Sequence, residues 1–215
     1  WLRAAGRRQL PPSWPMDCIL WGRITMPTTA YRPRLPPCNG CPDSMHSTRI
    51  KICGLTREED VDAAVQAGAH AIGFVLYDKS PIAVTAARAG QLARRLPPFV
   101  TPVLLFFNAS AHDIHAGVQA VPHALLQFHG DETPERCREI AQNNPWMKAA
   151  RIGKQFAFND FSLQYRDAGA FLLDALVEGY GGGGVPFDWQ EIPQTWVSEN
   201  APRVVLSGGL NAHNV

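Results

Sequence analysis

No apolar stretch in the 215 residues reaches the roughly 18 that a membrane-spanning helix needs. No signal-peptide pattern stands out. Charge of one sign is also missing: the net charge is +1, which gives no general affinity for nucleic acid or for a membrane surface. Cysteine is sparse and odd in number, five over a long chain, which excludes a disulfide framework and points to a reducing, cytoplasmic setting. The C-x-x-C at Cys38 and Cys41 has no second ligand pair at zinc spacing, so no metal is expected. Acidic residues are scarce in the first 44 positions, which hold two of them against six arginines and eight prolines. That segment shows neither a helical nor a strand period. It reads as disordered or as a non-native leader, with Met45 as the expected start of the folded unit.

From residue 45 onward the pattern is regular. Short apolar runs at 49–53, 70–76, 101–107, 124–128, 147–152, 170–175 and 203–207 read as strands. Amphipathic stretches at 56–67, 85–96, 110–120, 133–143, 158–167 and 189–198 read as helices. Thr56 and Glu59 form a capping-box pattern, Thr85 and Thr133 are candidate caps, and Pro134 stands at a first helical position. Strands alternating with helices predict right-handed parallel crossovers. Seven strands in one series favour an α/β fold of the (β/α)8 barrel type, with an open doubly wound sheet as the alternative.

In such a barrel the carboxyl ends of the strands share one mouth, where chemistry is carried. The residues there are Cys53, Asp78 to Pro81, Asn108, the run HGDE at 129–132, Asp174, the run GYGGGG at 179–184 and SGG at 207–209. Asp174 is a lone carboxylate inside the apolar run FLLDAL. Burying it ionised and unpaired would cost several kcal/mol. It is either a hydrogen-bonded structural Asp or an acid poised to give up a proton. Cys53 is either a small core residue or, as a thiolate, a base. His129 either binds a ligand or caps the next segment, and Cys137 reads as core. The two glycine runs offer backbone N–H groups for an anion such as phosphate.

Taken together, KICGLTREED, GAHAIGFVLYDKSP, LLQFHGDE, KAARI, FLLDA, GGGGVPFDW and LSGGLNAHNV resemble the phosphoribosylanthranilate isomerases of tryptophan biosynthesis, in family order from Thr48 to Val215. The resemblance implies a TIM barrel of the ribulose-phosphate-binding type. It also implies an Amadori rearrangement that turns N-(5-phosphoribosyl)anthranilate into the 1-amino-1-deoxyketose phosphate. Carried over, Asp174 is the general acid that opens the ribose ring and Cys53 is the general base that takes the C2 proton. His129, Gly182, Gly184, Gly208 and Gly209 would bind a phosphorylated small-molecule substrate. No cofactor is needed, and a monomer or homodimer is expected.

Two positions depart from the family. Ile82 stands where an arginine usually meets the anthranilate carboxylate, and Gly183 stands where a threonine is usual. The family's eighth strand–helix unit finds no counterpart after Val215. Strands 49–53 and 203–207 are therefore expected to face each other across a gap, each with an apolar edge prone to association. The competing readings are a non-catalytic or decayed phosphate-binding barrel and a neighbouring phosphate-binding barrel enzyme. The latter would carry an aspartate at the position of Cys53.

Overall fold

The computed structural model describes residues 17–20, 48–176, 188–196, 203–211 and 214. Eight parallel strands close into a ring, in the order in which they occur along the chain. They are β1 (Asp17–Leu20), β2 (Ile50–Cys53), β3 (Ala71–Val75), β4 (Thr101–Phe106), β5 (Leu125–Phe128), β6 (Trp146–Ile152), β7 (Ala170–Ala175) and β8 (Val204–Leu206). Among the described residues five α-helices follow strands: α1 (Glu58–Gln66), α2 (Ala86–Ala93), α3 (Ala111–Ala120), α4 (Pro134–Ala141) and α5 (Phe158–Gln164).

The expected gap between 49–53 and 203–207 is not there. β1 lies in it, parallel to both neighbours, with Cys18 opposite Ile50 and Cys18 also opposite Leu206. The expectation of a structureless first 44 residues is thus corrected at Asp17–Leu20; the rest of 1–47 lies outside the described residues. The physical reason is the one that made the gap suspect. Two facing parallel edges, with unmade backbone hydrogen bonds, form a template that any four extended residues can complete.

Two layers of packing fix the strand faces. Val103, Met147, Ala149, Leu172 and Val205 fill the barrel interior. Alternate residues such as Ile52, Phe74, Phe106 and Phe128 point outward to the helices. Period-two alternation then sends Lys51 and Cys53, Gly73, Gln127, Arg151 and Asp174 inward, while Lys148 points out.

Local signals hold in most places. Thr85 and Thr133 cap α2 and α4 through the N–H groups of Arg88 and Arg136, Ser110 caps α3, and Pro134 opens α4. Thr56 does not cap α1, whose N-cap is Arg57 with no side-chain cap bond. The Thr56 carbonyl instead accepts from the Arg88 guanidinium, and Glu58, Glu59 and Asp60 satisfy the positive end of the helix. The helix expected over 189–198 is also corrected. Its described part is two 3-10 turns, Trp189–Glu191 and Gln194–Trp196. Pro193 lies between them, lacks an N–H and obstructs an α-helical turn.

Candidate active site

Cys53 is the last residue of β2 and is 6% exposed. It packs in a small apolar cluster with Val75 and Leu105, against which Tyr77 and Ile82 lie. Gly73, its register partner on β3, is required there: a Cβ on Gly73 would stand 2.5 Å from the Cys53 sulfur. Gly54 follows with a φ of +82°, so the chain turns sharply away from the thiol. A Cβ at Gly54 would meet Ile82 Cδ1 at 2.4 Å. Strand end, turn and apolar wall together aim the sulfur into the mouth. Cys137, buried on α4, is of a different kind: burial pushes its thiol up to about 12, so it stays protonated and serves as core.

Asp174 lies near the end of β7, opposite Arg151 in register, and is 5% exposed. Its Oδ1 accepts from the Ala175 N–H at 2.9 Å. Its Oδ2 lies 3.4 Å from His129 Nε2. The Gln127 amide and His129 Nδ1 are hydrogen-bonded at 3.0 Å, which orients the ring with Nε2 toward the carboxylate. Gly208 has φ +80° and a Cβ there would come within 2.5 Å of Asp174 Oδ1; Gly209 follows at φ +67°. The backbone of the SGG turn therefore runs directly against the acid.

The structure thus brings Asp174, His129 and Gly208 into contact, with Gly209 next in the chain. It places Cys53 on the same rim, across β1 and β8 in the ring. Gly182 and Gly184 lie outside the described residues, as does Gly183. Both carboxylate oxygens of Asp174 thus face a neighbour near the end of β7, one the Ala175 N–H and one the His129 ring.

The loop carrying His129 is braced from outside the barrel. Lys148 donates to the Gly130 carbonyl at 2.6 Å and to Glu132 Oε2 at 3.1 Å, and its ammonium lies 5.6 Å from the Tyr165 ring centre. Glu132 Oε1 in turn accepts the Asn108 N–H at 2.8 Å and the Gly130 N–H at 3.3 Å. The Asn108 side chain accepts from the Asp131 N–H, and Arg151 pairs with Asp131 on the rim. Sequence reasoning singled out the run HGDE but missed Lys148, Arg151, Gln127 and Lys51. The available signal was a charged or amide residue inside an otherwise apolar strand, in IKIC, LLQF and WMKAARI.

Among the described residues no group of three or more His, Cys, Asp or Glu side chains is placed to hold a metal ion. No described helix is long and apolar enough to cross a membrane.

The model of the N-(5'phosphoribosyl)anthranilate (PRA) isomerase family matches residues 50–215, so β1 lies outside the match. A protein of Methylibium petroleiphilum named N-(5'-phosphoribosyl)anthranilate isomerase is 58% identical over 168 residues, spanning 78% of this chain and 76% of that one. One of the same name from Ralstonia nicotianae is 53% identical over 178 residues, 80% and 77% of the two chains. Among solved structures, the phosphoribosyl anthranilate isomerase of Thermotoga maritima superposes with a TM-score of 0.69 at 38% identity, over 78% of this chain and 80% of that one. Another solved phosphoribosyl anthranilate isomerase, in complex with reduced 1-(o-carboxyphenylamino)-1-deoxyribulose 5-phosphate, gives 0.63 at 35% identity, over 76% of each chain.

Proposed function

Because the chain belongs to the N-(5'phosphoribosyl)anthranilate isomerase family, we propose that it carries out the aldose-to-ketose rearrangement of N-(5-phosphoribosyl)anthranilate, with Asp174 as acid and Cys53 as base. The observation that carries this reading is the arrangement of the rim. A carboxyl group with a histidine ring nitrogen 3.4 Å away and a thiol in an apolar wall stand at the same end of the barrel, with two strands between them.

The steps follow from those two groups. Asp174 gives a proton to the ribose ring oxygen as the C1–O bond breaks, and the nitrogen lone pair takes up the C1 position as an iminium. Cys53 then removes the C2 proton, and the C–H electrons flow toward the nitrogen to give an enolamine. Tautomerisation yields the ketone. Charge appears on Asp174 in the first step, and the His129 ring, 3.4 Å from its Oδ2, faces that charge. We place the phosphate at the SGG turn, with Gly208, Gly209 and the glycines Gly182 and Gly184, and place His129 at the sugar. The reaction moves protons only, so the residues of the mouth suffice.

The test is conversion of the aminoaldose phosphate by the native chain and two variants. Cys53→Ala and Asp174→Asn should each lower turnover by about 10²–10⁴-fold, the usual contribution of a positioned acid or base. Circular dichroism should stay native in both. Folded variants that both keep near-native rates would overturn the assignment.

A further inference from the structure

Lys51 sits two residues before Cys53 on β2 and points the same way, into the barrel. It is 6% exposed, and its ammonium has no hydrogen-bond partner among the described residues. A buried ammonium left alone is costly.

The one feature that locates it is Gly73. A Cβ on Gly73 would stand 3.0 Å from Lys51 Nζ and 2.5 Å from Cys53 Sγ. The two atoms share the space which that glycine leaves open, so they lie within about 5.5 Å of each other, inside the range over which an opposite charge favours an ionised group. Among the described charged side chains at the mouth, Asp78 and Lys79 are exposed on the loop after β3, while Asp174 and Arg151 have partners. Asp174 is bonded to Ala175 and His129, and Arg151 to Asp131. His129 is held by Gln127 and Asp174. The wall around the thiol is otherwise apolar: Val75, Leu105, Ile82 and the Tyr77 ring. Gln127 Oε1 is likewise buried without a partner, yet Lys51 does not reach it. Among the described side chains, the group able to become an anion that shares the Gly73 space with Lys51 is the Cys53 sulfur.

We propose that Lys51 is a positioning residue for the base: its ammonium is the counter-charge that holds Cys53 as a thiolate within the apolar wall. The inference rests on reading Cys53 as the base. In the resting site the pair carries one labile proton, on the Lys51 nitrogen, and the sulfur keeps a free electron pair. That electron pair forms the S–H bond as the substrate C2–H bond breaks, and the C–H electrons remain on the substrate. Lys51 keeps its proton and nothing is oxidised or reduced. Gly73 is part of the device, since any side chain there would separate the two groups.

The experiment reads the thiolate directly. The ultraviolet thiolate absorbance of the native chain, less that of Cys53→Ala, is followed against pH. The native difference should already be present at neutral pH. In Lys51→Met, whose side chain suits an apolar interior, the curve should move upward by about one pH unit or more. Turnover at neutral pH should fall about tenfold, in step with the thiolate fraction, and recover at higher pH. Lys51→Arg should restore part of the shift. A native chain with no thiolate signal at neutral pH overturns the proposal without any variant. So does a folded Lys51→Met with lower turnover and an unmoved titration curve, which would make the lysine merely structural. A chain with the shifted titration that converts no substrate supports the pairing and removes instead the reading of the site as an isomerase.

Discussion

Ile82 lays its Cδ1 where a side chain on Gly54 would otherwise go, and closes the apolar wall beside Cys53. An arginine at this place would keep its aliphatic stem on that wall and carry its guanidinium to the rim. Ile82→Arg should therefore tighten binding of the anthranilate product analogue by about 1.5–3 kcal/mol, the worth of a well-made charge-assisted hydrogen bond. Calorimetric titration of both forms checks it; unchanged or weaker binding would show that another group meets the carboxylate. Residues of this kind are legible in a sequence when polarity breaks an apolar run, as at Asp174, or when a glycine follows a strand, as at Cys53. Lys51, Gln127 and Arg151 were less legible for a definite reason. On a half-exposed strand, alternating polar residues face water, whereas in a closed ring that same alternation delivers them to the interior and the mouth. Only the topology tells the two apart.

The β5–loop–α4 unit carries its own support to the mouth. The buried Lys148–Glu132 pair ties the loop after β5 to the outer face of β6, and Tyr165 of the segment after α5 donates to the Glu132 carbonyl. Removing one member leaves the other charged and buried. Lys148→Met and Glu132→Gln should each cost about 3–5 kcal/mol in stability, read from denaturant unfolding. The double change Lys148→Met with Glu132→Gln should cost less than the two single costs combined, because neither partner is then left charged and buried. Helix positions were legible because caps are local chemistry: Thr85, Thr133 and Pro134 act as their types suggest. Two elements were not. The N-cap of α1 is Arg57 rather than Thr56, and Pro193 divides an amphipathic stretch into two short turns.

For the whole molecule, the parallel α/β architecture followed from seven apolar runs separated by amphipathic ones, and the ring confirms the barrel over the open sheet. The eighth strand was illegible. Asp17–Leu20 is four residues inside a proline- and arginine-rich segment, and no periodicity can be read from four residues. Its strand state is decided by partners far away in sequence, β2 and β8. Proline cannot donate to a ladder and is confined to edges. Ile19→Pro should thus unseat β1 and expose the edges of β2 and β8. The expected outcome is association, seen as larger species in light scattering, with a lower melting temperature. An Ile19→Pro chain that stays at the native size and melts unchanged would show that the seam does not depend on this strand.

The seam is also the thinnest part of the ring. β1 meets β2 through three register pairs and β8 through two, whereas β6 and β7 share six. A closed hydrogen-bonded cylinder behaves like a zipper with its ends joined: it opens first where the fewest teeth engage. Native-state hydrogen exchange should therefore find the amides of β1 and β8 opening at lower free energy than those of β6 and β7. Cys53 and the SGG turn flank that thin sector on either side, and Asp174 lies one strand beyond. Widening the barrel there would part Cys53 from Asp174 without disturbing the β3–β6 wall. Breathing of the cylinder at this one sector would then set how large a molecule can enter between these two side chains.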